Sequence, residues 1–225
     1  MATRAVTEGT SLLARSMTRN GVLLGLFAVC TTLLIAGTYL STRDKIALEK
    51  RRAEEKALLE VVPRSRHDNS MLDETMPVGP EAEGLGLREQ KRIYVARSGS
   101  EVVAVVIPVT APDGYTDAID LIVGVNADGT VAGVRALAHK ETPGLGDKVD
   151  IKKSDWVLGF EGRSLENPEP SGWAVKKDRG VFDQFTGATI TPRAVVAATL
   201  RALQYARANR EALFGDGDQA PAGGS

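Results

Sequence analysis

Residues 102–137 read VVAVVIPVTAPDGYTDAIDLIVGVNADGTVAGVRAL, and the fold class follows from their pattern. The runs Val102–Val109 and Ile119–Asn126 are rich in β-branched residues, and a similar run covers Val131–Leu137. A Pro-Asp-Gly sequence follows the first run, and an Asn-Ala-Asp-Gly sequence ends the second. Runs of this kind bounded by turn residues are typical of strands joined by tight turns. The stretch predicts three strands of an antiparallel sheet.

Two later segments have the same strand-like character. They are Trp173–Lys177 and Gly180–Asp183, and the Lys-Asp-Arg-Gly sequence between them favours a turn. We expect both segments to extend the sheet, in a compact domain that begins near Ile93.

The C-terminal part of this domain has the signals of a helix. Thr191 and Pro192 are interpreted as an N-cap and a first-turn proline, and the helix is predicted to run to about Phe214. Apolar side chains at helical spacing form a stripe for burial against the sheet. The stripe consists of Val195, Val196, Leu200, Leu203 and Leu213. The prediction is an α+β domain over residues 90–214, with an antiparallel sheet and a C-terminal packing helix.

The N-terminal region contains one long apolar run, Gly21–Leu40, without a charged residue. A helix of this length spans roughly 30 Å, the thickness of a bilayer's hydrocarbon core. A cleaved signal peptide and a buried helix of a soluble core are the alternatives. The run is longer than a usual signal-peptide core and no A-x-A-like cleavage site follows it, so a transmembrane helix over residues 21–40 is favoured.

Charge leaves the topology of this helix open. Arg4, Arg15 and Arg19 precede it, while the basic residues that follow are interleaved with acidic ones. Residues 41–89 are predicted to form a solvated stalk helix over 43–62 and an irregular linker from Pro63 to about Arg88. Contact of the stalk with the membrane surface is the alternative. Residues 215–225 are predicted to be a disordered tail.

Composition excludes several classes of function. The chain has 28 basic and 29 acidic residues, and their mixing excludes nucleic acid as a partner. Cys30 is the only cysteine, which excludes an intrachain disulfide and a thiol-based metal site. His67 and His139 lack a second ligand at metal-binding spacing, so no metal site is predicted.

Two loops break the ordinary pattern of a small α+β domain. The first is His139–Gly146, HKETPGLG, which follows a predicted strand. Its glycines permit close approach of the backbone to a planar or anionic ligand, and a rigid connection is the alternative. The second is DQFTGATITP, residues 183–192, which leads into the predicted helix. A helix N-terminus favours a phosphate, but the residues alone favour a polar turn and cap as the role of the threonines.

The second loop resembles the flavinylation motif Asp-x-x-(Ser/Thr)-Gly-Ala-Thr of FMN-binding domains. Asp183, Thr186, Gly187, Ala188 and Thr189 occupy the motif positions. Together with HKETPGLG, the turn Asn126–Gly129 and the single N-terminal helix, the motif makes the chain similar to the G subunit of the Rnf (Rsx) electron-transport complex. The C subunit of the sodium-pumping NADH:quinone reductase has the same domain type and is the alternative within this family.

The resemblance implies a covalent flavin. In that family a Mg-dependent flavin transferase of the ApbE type moves the FMN part of FAD onto the last threonine of the motif as a phosphoester. By position that threonine is Thr189, and Asp183 is recognised by the transferase. The implied contacts to the flavin are His139, Glu141, Thr142, Leu145 and Gly146, with Trp173 and Lys176 as further candidates.

The implied function is electron transfer between subunits of a membrane complex that couples ferredoxin and NAD chemistry to ion transport. No catalysis is expected of the chain alone. The family places the N-terminus in the cytoplasm and the flavin domain on the periplasmic side of the bacterial inner membrane. A non-redox interaction subunit is an alternative, as is a soluble-type flavoenzyme, although spacing reveals no acid–base pair.

Overall fold

A computed structural model describes residues 2–215 of the chain. Its helices are α1 (Ala2–Val61), α2 (Ile190–Ala208) and α3 (Arg210–Phe214). The strands are β1 (Thr75–Val78), β2 (Lys91–Ser98), β3 (Glu101–Ala111), β4 (Ile119–Asn126) and β5 (Val131–Ala138). Short 3-10 helices lie at Arg64–Arg66, Gly146–Val149, Asp155–Phe160, Pro170–Gly172 and Lys176–Asp178. The predicted α+β class is confirmed.

The five strands form one antiparallel sheet in the order β1-β2-β3-β4-β5. The three strands predicted from residues 102–137 are β3, β4 and β5, and each pairs with its neighbour in sequence. Both faces of β3 are covered: Val105 and Ile107 belong to one core cluster, and Ala104 and Val106 to another. Burial on both faces explains why this run is apolar throughout and does not alternate.

The prediction that Trp173–Lys177 and Gly180–Asp183 extend the sheet is wrong. These segments form a 3-10 helix at Lys176–Asp178 and a single bridge between Val175 and Phe182. The turn is tight, with Arg179 at φ 70°, and it directs Trp173 and Phe182 into the core. Strands β1 and β2 extend the sheet instead, on the side of β3.

Helix α2 covers one face of the sheet with the predicted stripe. Val195, Val196 and Leu203 are buried, Leu200 is half-buried, and Leu213 is buried in α3. The helix does not continue to Phe214 as expected. It ends at Ala208, where the side-chain amide of Asn209 donates to the Tyr205 carbonyl oxygen at 2.9 Å, and α3 follows.

The other face of the sheet is covered by the C-terminal turns of α1. The chain divides into two compact units, and the second begins at Glu54. Leu58, Val61 and Val62 are all at most 1% exposed and pack against side chains of β2, β3 and β4. Such burial contributes about 1.5–3 kcal/mol for each side chain. The expectation of a fully solvated stalk is therefore wrong for its last two turns.

The predicted linker is also more ordered than its composition indicates. It contains strand β1, whose Met76 pairs with Ile93, and the buried side chains of Leu85 and Leu87. Glycines and acidic residues separate these apolar residues, so the sequence shows neither the helical nor the strand periodicity that would have predicted their burial. The domain thus takes in residues before 90. Residues 216–225 of the predicted tail lie outside the described structure.

Within residues 2–215, one helix is long and apolar enough by length and composition to cross a membrane. It is the Arg19–Val61 part of α1, which includes the predicted segment Gly21–Leu40. None of its most apolar window is buried, in contrast to a core helix of a soluble protein. The predicted transmembrane and stalk helices form one uninterrupted helix.

A pair of glycines allows the end of α1 to approach the sheet. Gly124 of β4 and Gly133 of β5 are cross-strand partners, and both lie beneath Val61. A Cβ at position 124 would overlap Val61 Cγ1, and one at 133 would lie 3.4 Å from Val61 Cα. The two glycines form a notch that receives Val61.

We predict that Gly124→Val lowers the free energy of unfolding by about 1–3 kcal/mol, because the notch is filled in a close-packed core. Adding Val61→Ala should recover part of this loss, since the two sites are in contact. Thermal unfolding of the full chain in detergent, followed by tryptophan fluorescence, measures both changes. Gly159→Ala is the control, because no heavy atom from outside the local chain lies within 4 Å of a Cβ there. Equal effects of Gly124→Val and Gly159→Ala would contradict the notch.

Candidate functional site

Glu141 is a buried carboxylate at the centre of three loops. It follows β5 and is only 4% exposed. Its Oε1 accepts a hydrogen bond from the Thr116 backbone N–H at 3.0 Å, and its Oε2 accepts one from the Thr191 hydroxyl. Thr116 belongs to the β3–β4 connection, and Thr191 to the first turn of α2. The carboxylate therefore ties both segments to the His139–Gly146 loop.

Gly146 shows how closely these groups pack. A Cβ at this position would lie 2.7 Å from Glu141 Oε2 and 2.9 Å from Thr191 Oγ1. Next to it, Leu145 covers Gly187, where a Cβ would lie 3.4 Å from the leucine Cδ2. The two loops singled out in the sequence are thus neighbours in the structure.

The predicted N-cap role of Thr191 is wrong. The structure places the N-cap at Thr189, and Thr191 is fully buried inside the first turn with its hydroxyl on Glu141. The local Thr-Pro pattern suggested a cap, but a partner 50 residues away takes the hydroxyl. Thr189 itself has helical dihedral angles (φ −87°, ψ −25°) and makes no side-chain capping hydrogen bond.

The loop before Thr189 makes a tight turn at the surface. The Ala188 N–H donates to the Phe185 carbonyl oxygen at 3.1 Å, and Gly187 has φ +82°. Phe185 is buried, whereas Asp183, Thr186 and Gly187 are exposed. Ala188 and Thr189 are half-buried. Thr189 is therefore partly exposed directly after this surface turn.

An aromatic cluster anchors this turn from below. Phe185 packs edge-on against Trp156 with ring centroids 5.0 Å apart, and Phe160 stacks on Phe182 at 4.6 Å. The indole N–H of Trp156 donates to the Asp183 carbonyl oxygen at 2.8 Å. Sequence reasoning missed Trp156, because no local pattern connects it to a segment 27 residues later.

Trp173 belongs to the same cluster and does not line the exposed loops. It is 6% exposed, and its indole N–H donates to the Ser164 carbonyl oxygen at 3.0 Å. Trp173 therefore occupies a core position in the structure. Lys176 lies on the surface, where its ammonium group pairs with the Asp183 carboxylate at 2.6 Å.

The remaining predicted contacts lie along the His139–Gly146 loop. Thr142 is exposed, and its carbonyl oxygen accepts the N–H groups of Leu145, Gly146 and Asp147. His139 is half-buried and accepts the Glu141 N–H at its Nδ1, 3.3 Å away. It faces an open concavity of about 450 Å³ that Arg88, Lys91 and Lys140 also line. In the structure His139 lies next to Glu141, and its side chain lines this concavity.

Comparison with known proteins matches both parts of the chain. The RnfG N-terminal region family matches residues 5–61, and the FMN-binding domain family matches residues 114–204. The G subunit of an ion-translocating oxidoreductase complex from Pseudomonas aeruginosa is 52% identical over 89% of this chain and 93% of its own length. The proteins of the same name from Pseudoalteromonas atlantica and Shewanella loihica are 50% and 46% identical, over 87% and 89% of this chain and 91% and 94% of their own.

We predict that Thr191→Val lowers the free energy of unfolding by about 2–3 kcal/mol, because it leaves one oxygen of a buried carboxylate without a donor. Thr191→Ser should retain most of the stability, since the hydroxyl remains. Thr199→Val is the matched control: Thr199 is equally buried in α2, but its hydroxyl only donates to the Val195 carbonyl oxygen at 2.9 Å. Thermal unfolding of the four proteins measures the difference, and equal losses for Thr191→Val and Thr199→Val would contradict the role of Glu141.

Proposed function

Because the chain belongs to the family of G subunits of ion-translocating oxidoreductase complexes, we propose that it is the flavin-carrying electron-transfer subunit of such a membrane complex. The matched FMN-binding domain includes most of the β3–β4 connection, the His139–Gly146 loop and most of α2. The relatives share the G-subunit name, which favours this assignment over the C subunit of a quinone reductase. The chain relays electrons and catalyses no reaction of its own.

The FMN is attached covalently at Thr189 in this proposal. A Mg-dependent flavin transferase joins Thr189 Oγ to the phosphorus of the FMN part of FAD. The bond to the AMP part breaks, AMP leaves, and the hydroxyl proton is released. The observation that supports this assignment is the position of Thr189, which is half-buried, makes no side-chain capping hydrogen bond and lies at the N-terminus of a 19-residue helix.

The surroundings of Thr189 fit a phosphate that carries a planar ring system. A helix N-terminus presents unpaired N–H groups and a partial positive charge, which favours an anion. Leu145 and Ile190 are 41% and 45% exposed and offer apolar surface beside it. Once attached, FMN supplies one- and two-electron redox chemistry. We propose Thr142, Leu145, Gly146 and Lys176 as residues near the ring.

Glu141 and Trp173 have supporting roles in this proposal. Both carboxylate oxygens of Glu141 already accept hydrogen bonds, and the Trp173 indole is buried. Glu141 holds the loops around Thr189 in place, and Trp173 stabilises the aromatic cluster beneath them. His139 lies beyond Glu141 and is the weakest of the proposed contacts.

In cells that express a flavin transferase, we predict that Thr189→Ala abolishes covalent FMN and leaves the fold intact, because a half-exposed loop hydroxyl contributes little to stability. Asp183→Ala should lower the extent of modification. Thr186→Ser is the matched control in the same loop and should keep the flavin, since the motif accepts either residue. The measurements are in-gel flavin fluorescence after denaturation and mass spectrometry of the peptide 183–193.

A fluorescent band in the Thr189→Ala protein would contradict the attachment site. The same holds for an FMN mass assigned to Thr186 or Thr191. A wild-type chain without flavin in those cells would contradict the electron-transfer function itself.

For the orientation, we propose that the N-terminus is cytoplasmic and the flavin domain periplasmic in the bacterial inner membrane. Arg4, Arg15 and Arg19 before the apolar segment are compatible with this topology. A reporter fused after Ser225 that is active only in the periplasm should be active, and one that is active only in the cytoplasm should be silent. The opposite pattern would reverse the assignment.

A further inference from the structure

Ion pairs connect the Lys176–Arg179 turn to residues before and after Thr189. The Asp178 carboxylate forms a two-fold ion pair with Arg193, in which Nε donates to Oδ2 and Nη2 donates to Oδ1, each at 2.6 Å. The Lys176 ammonium pairs with Asp183 at the start of the loop that carries Thr189, also at 2.6 Å. A carboxylate bound through two parallel N–H groups fixes the plane of a guanidinium. Arg193 is thus held in one orientation.

Arg193 lies one helical turn after Thr189. Because Thr189 has helical dihedral angles, positions 189 and 193 share a face of the helix, with Cβ atoms roughly 5–6 Å apart. The Arg193 N–H donates to the Thr189 carbonyl oxygen at 3.4 Å. Side chains in a helix tilt toward its N-terminus. This tilt directs the arginine toward the turn that begins with Thr189.

The ion pair leaves part of the guanidinium unused. Arginine has five N–H groups, and Asp178 accepts two of them, one from Nε and one from Nη2. Both N–H groups of Nη1 and the second of Nη2 remain, on a side chain that is 44% exposed. The hydrogen bonds from Arg193 lower the pKa of the Asp178 carboxyl, and those to Asp178 raise the pKa of Arg193. The pair therefore stays ionised around neutral pH.

We propose that Arg193, oriented by Asp178, binds the phosphate oxygens of the FMN attached to Thr189. This inference rests on the proposed attachment at Thr189. A phosphate esterified to Thr189 and to the ribityl chain keeps two non-bridging oxygens that share one negative charge. The free edge of a guanidinium matches two such oxygens in geometry and charge, whereas an ammonium group lacks the fork.

The test compares four full-length proteins: wild type, Arg193→Gln, Arg193→Lys and the control Arg207→Gln. Arg207 lies on the same helix and forms an exposed ion pair with Glu166 at 2.9 Å, so its loss removes a comparable surface pair away from Thr189. Each protein is flavinylated with FAD, Mg²⁺ and purified transferase. Attachment at Thr189 is then verified by mass spectrometry, and folding by thermal unfolding.

The first measurement is the ³¹P NMR shift of the attached phosphate in the folded protein relative to the same protein in denaturant. We expect a clear difference for wild type and Arg207→Gln, and its loss or large reduction in Arg193→Gln. Arg193→Lys retains the charge that a transferase can recognise but lacks the fork, so it should be modified and show a reduced difference. It provides the comparison if Arg193→Gln is modified incompletely.

The second measurement is the initial rate of flavinylation at low concentration of the unmodified chain. We expect at least about a tenfold decrease for Arg193→Gln, the size of a lost charge-assisted hydrogen bond, and little change for Arg207→Gln. Flavin on Thr189 with an unchanged ³¹P shift in both Arg193 variants would overturn the role of Arg193 and leave the proposed function intact. Absence of flavin from wild-type Thr189 would instead overturn the attachment on which this inference depends.

Discussion

The buried carboxylate of Glu141 is the constraint on which the arrangement of the site depends. A carboxylate removed from water is costly unless donors satisfy its oxygens, and here the Thr116 N–H and the Thr191 hydroxyl do so. Each donor lies on a different segment, so satisfying one charge fixes three chain segments at once. The buried Thr191 hydroxyl holds the first turn of α2 from the inside, and Thr189 at the start of the helix makes no side-chain capping hydrogen bond. This arrangement is consistent with the proposed attachment at Thr189.

The central part of the fold could be predicted because its signals are local. Strands β3 to β5 are consecutive, each pairs with the next, and turn residues separate them. The burial of Leu58 and Val61 could not be predicted in this way. It depends on Gly124 and Gly133, which are far from α1 in sequence and pair only when β4 and β5 are in register. A glycine within a strand usually indicates a less stable strand, whereas these two glycines provide the space into which a helix packs.

Similar reasons explain which parts of the site were predictable. The two loops were recognised from composition and resemblance, and the structure brings them together through Leu145 and Gly187. The role of Thr191 was misread because a threonine before a proline at a helix start has the same local pattern whether it caps the helix or donates inward. Trp156 was missed because its contacts at the site, the hydrogen bond to the Asp183 carbonyl and the packing against Phe185, are tertiary. Residue type and spacing locate the two loops of the candidate site. The side chains that support these loops come from distant parts of the sequence, so local patterns do not reveal them.

The sheet connects the last turns of α1 and the site within one compact unit. Residues Glu54–Val61 pack on one face, and α2, which begins beside Thr189, packs on the other. Alternation along β3 sends successive side chains to these two faces, so the strand that holds the end of α1 also holds α2. With FMN attached at Thr189 as proposed, the attachment point is fixed relative to the residues that end α1, although the cofactor retains freedom about its own bonds. For the proposed electron carrier this restricts the flavin to the neighbourhood of Thr189. Glu141 holds the first turn of α2, Trp156 holds Asp183 and Phe185, and the Asp178–Arg193 pair connects α2 to the Lys176–Arg179 turn.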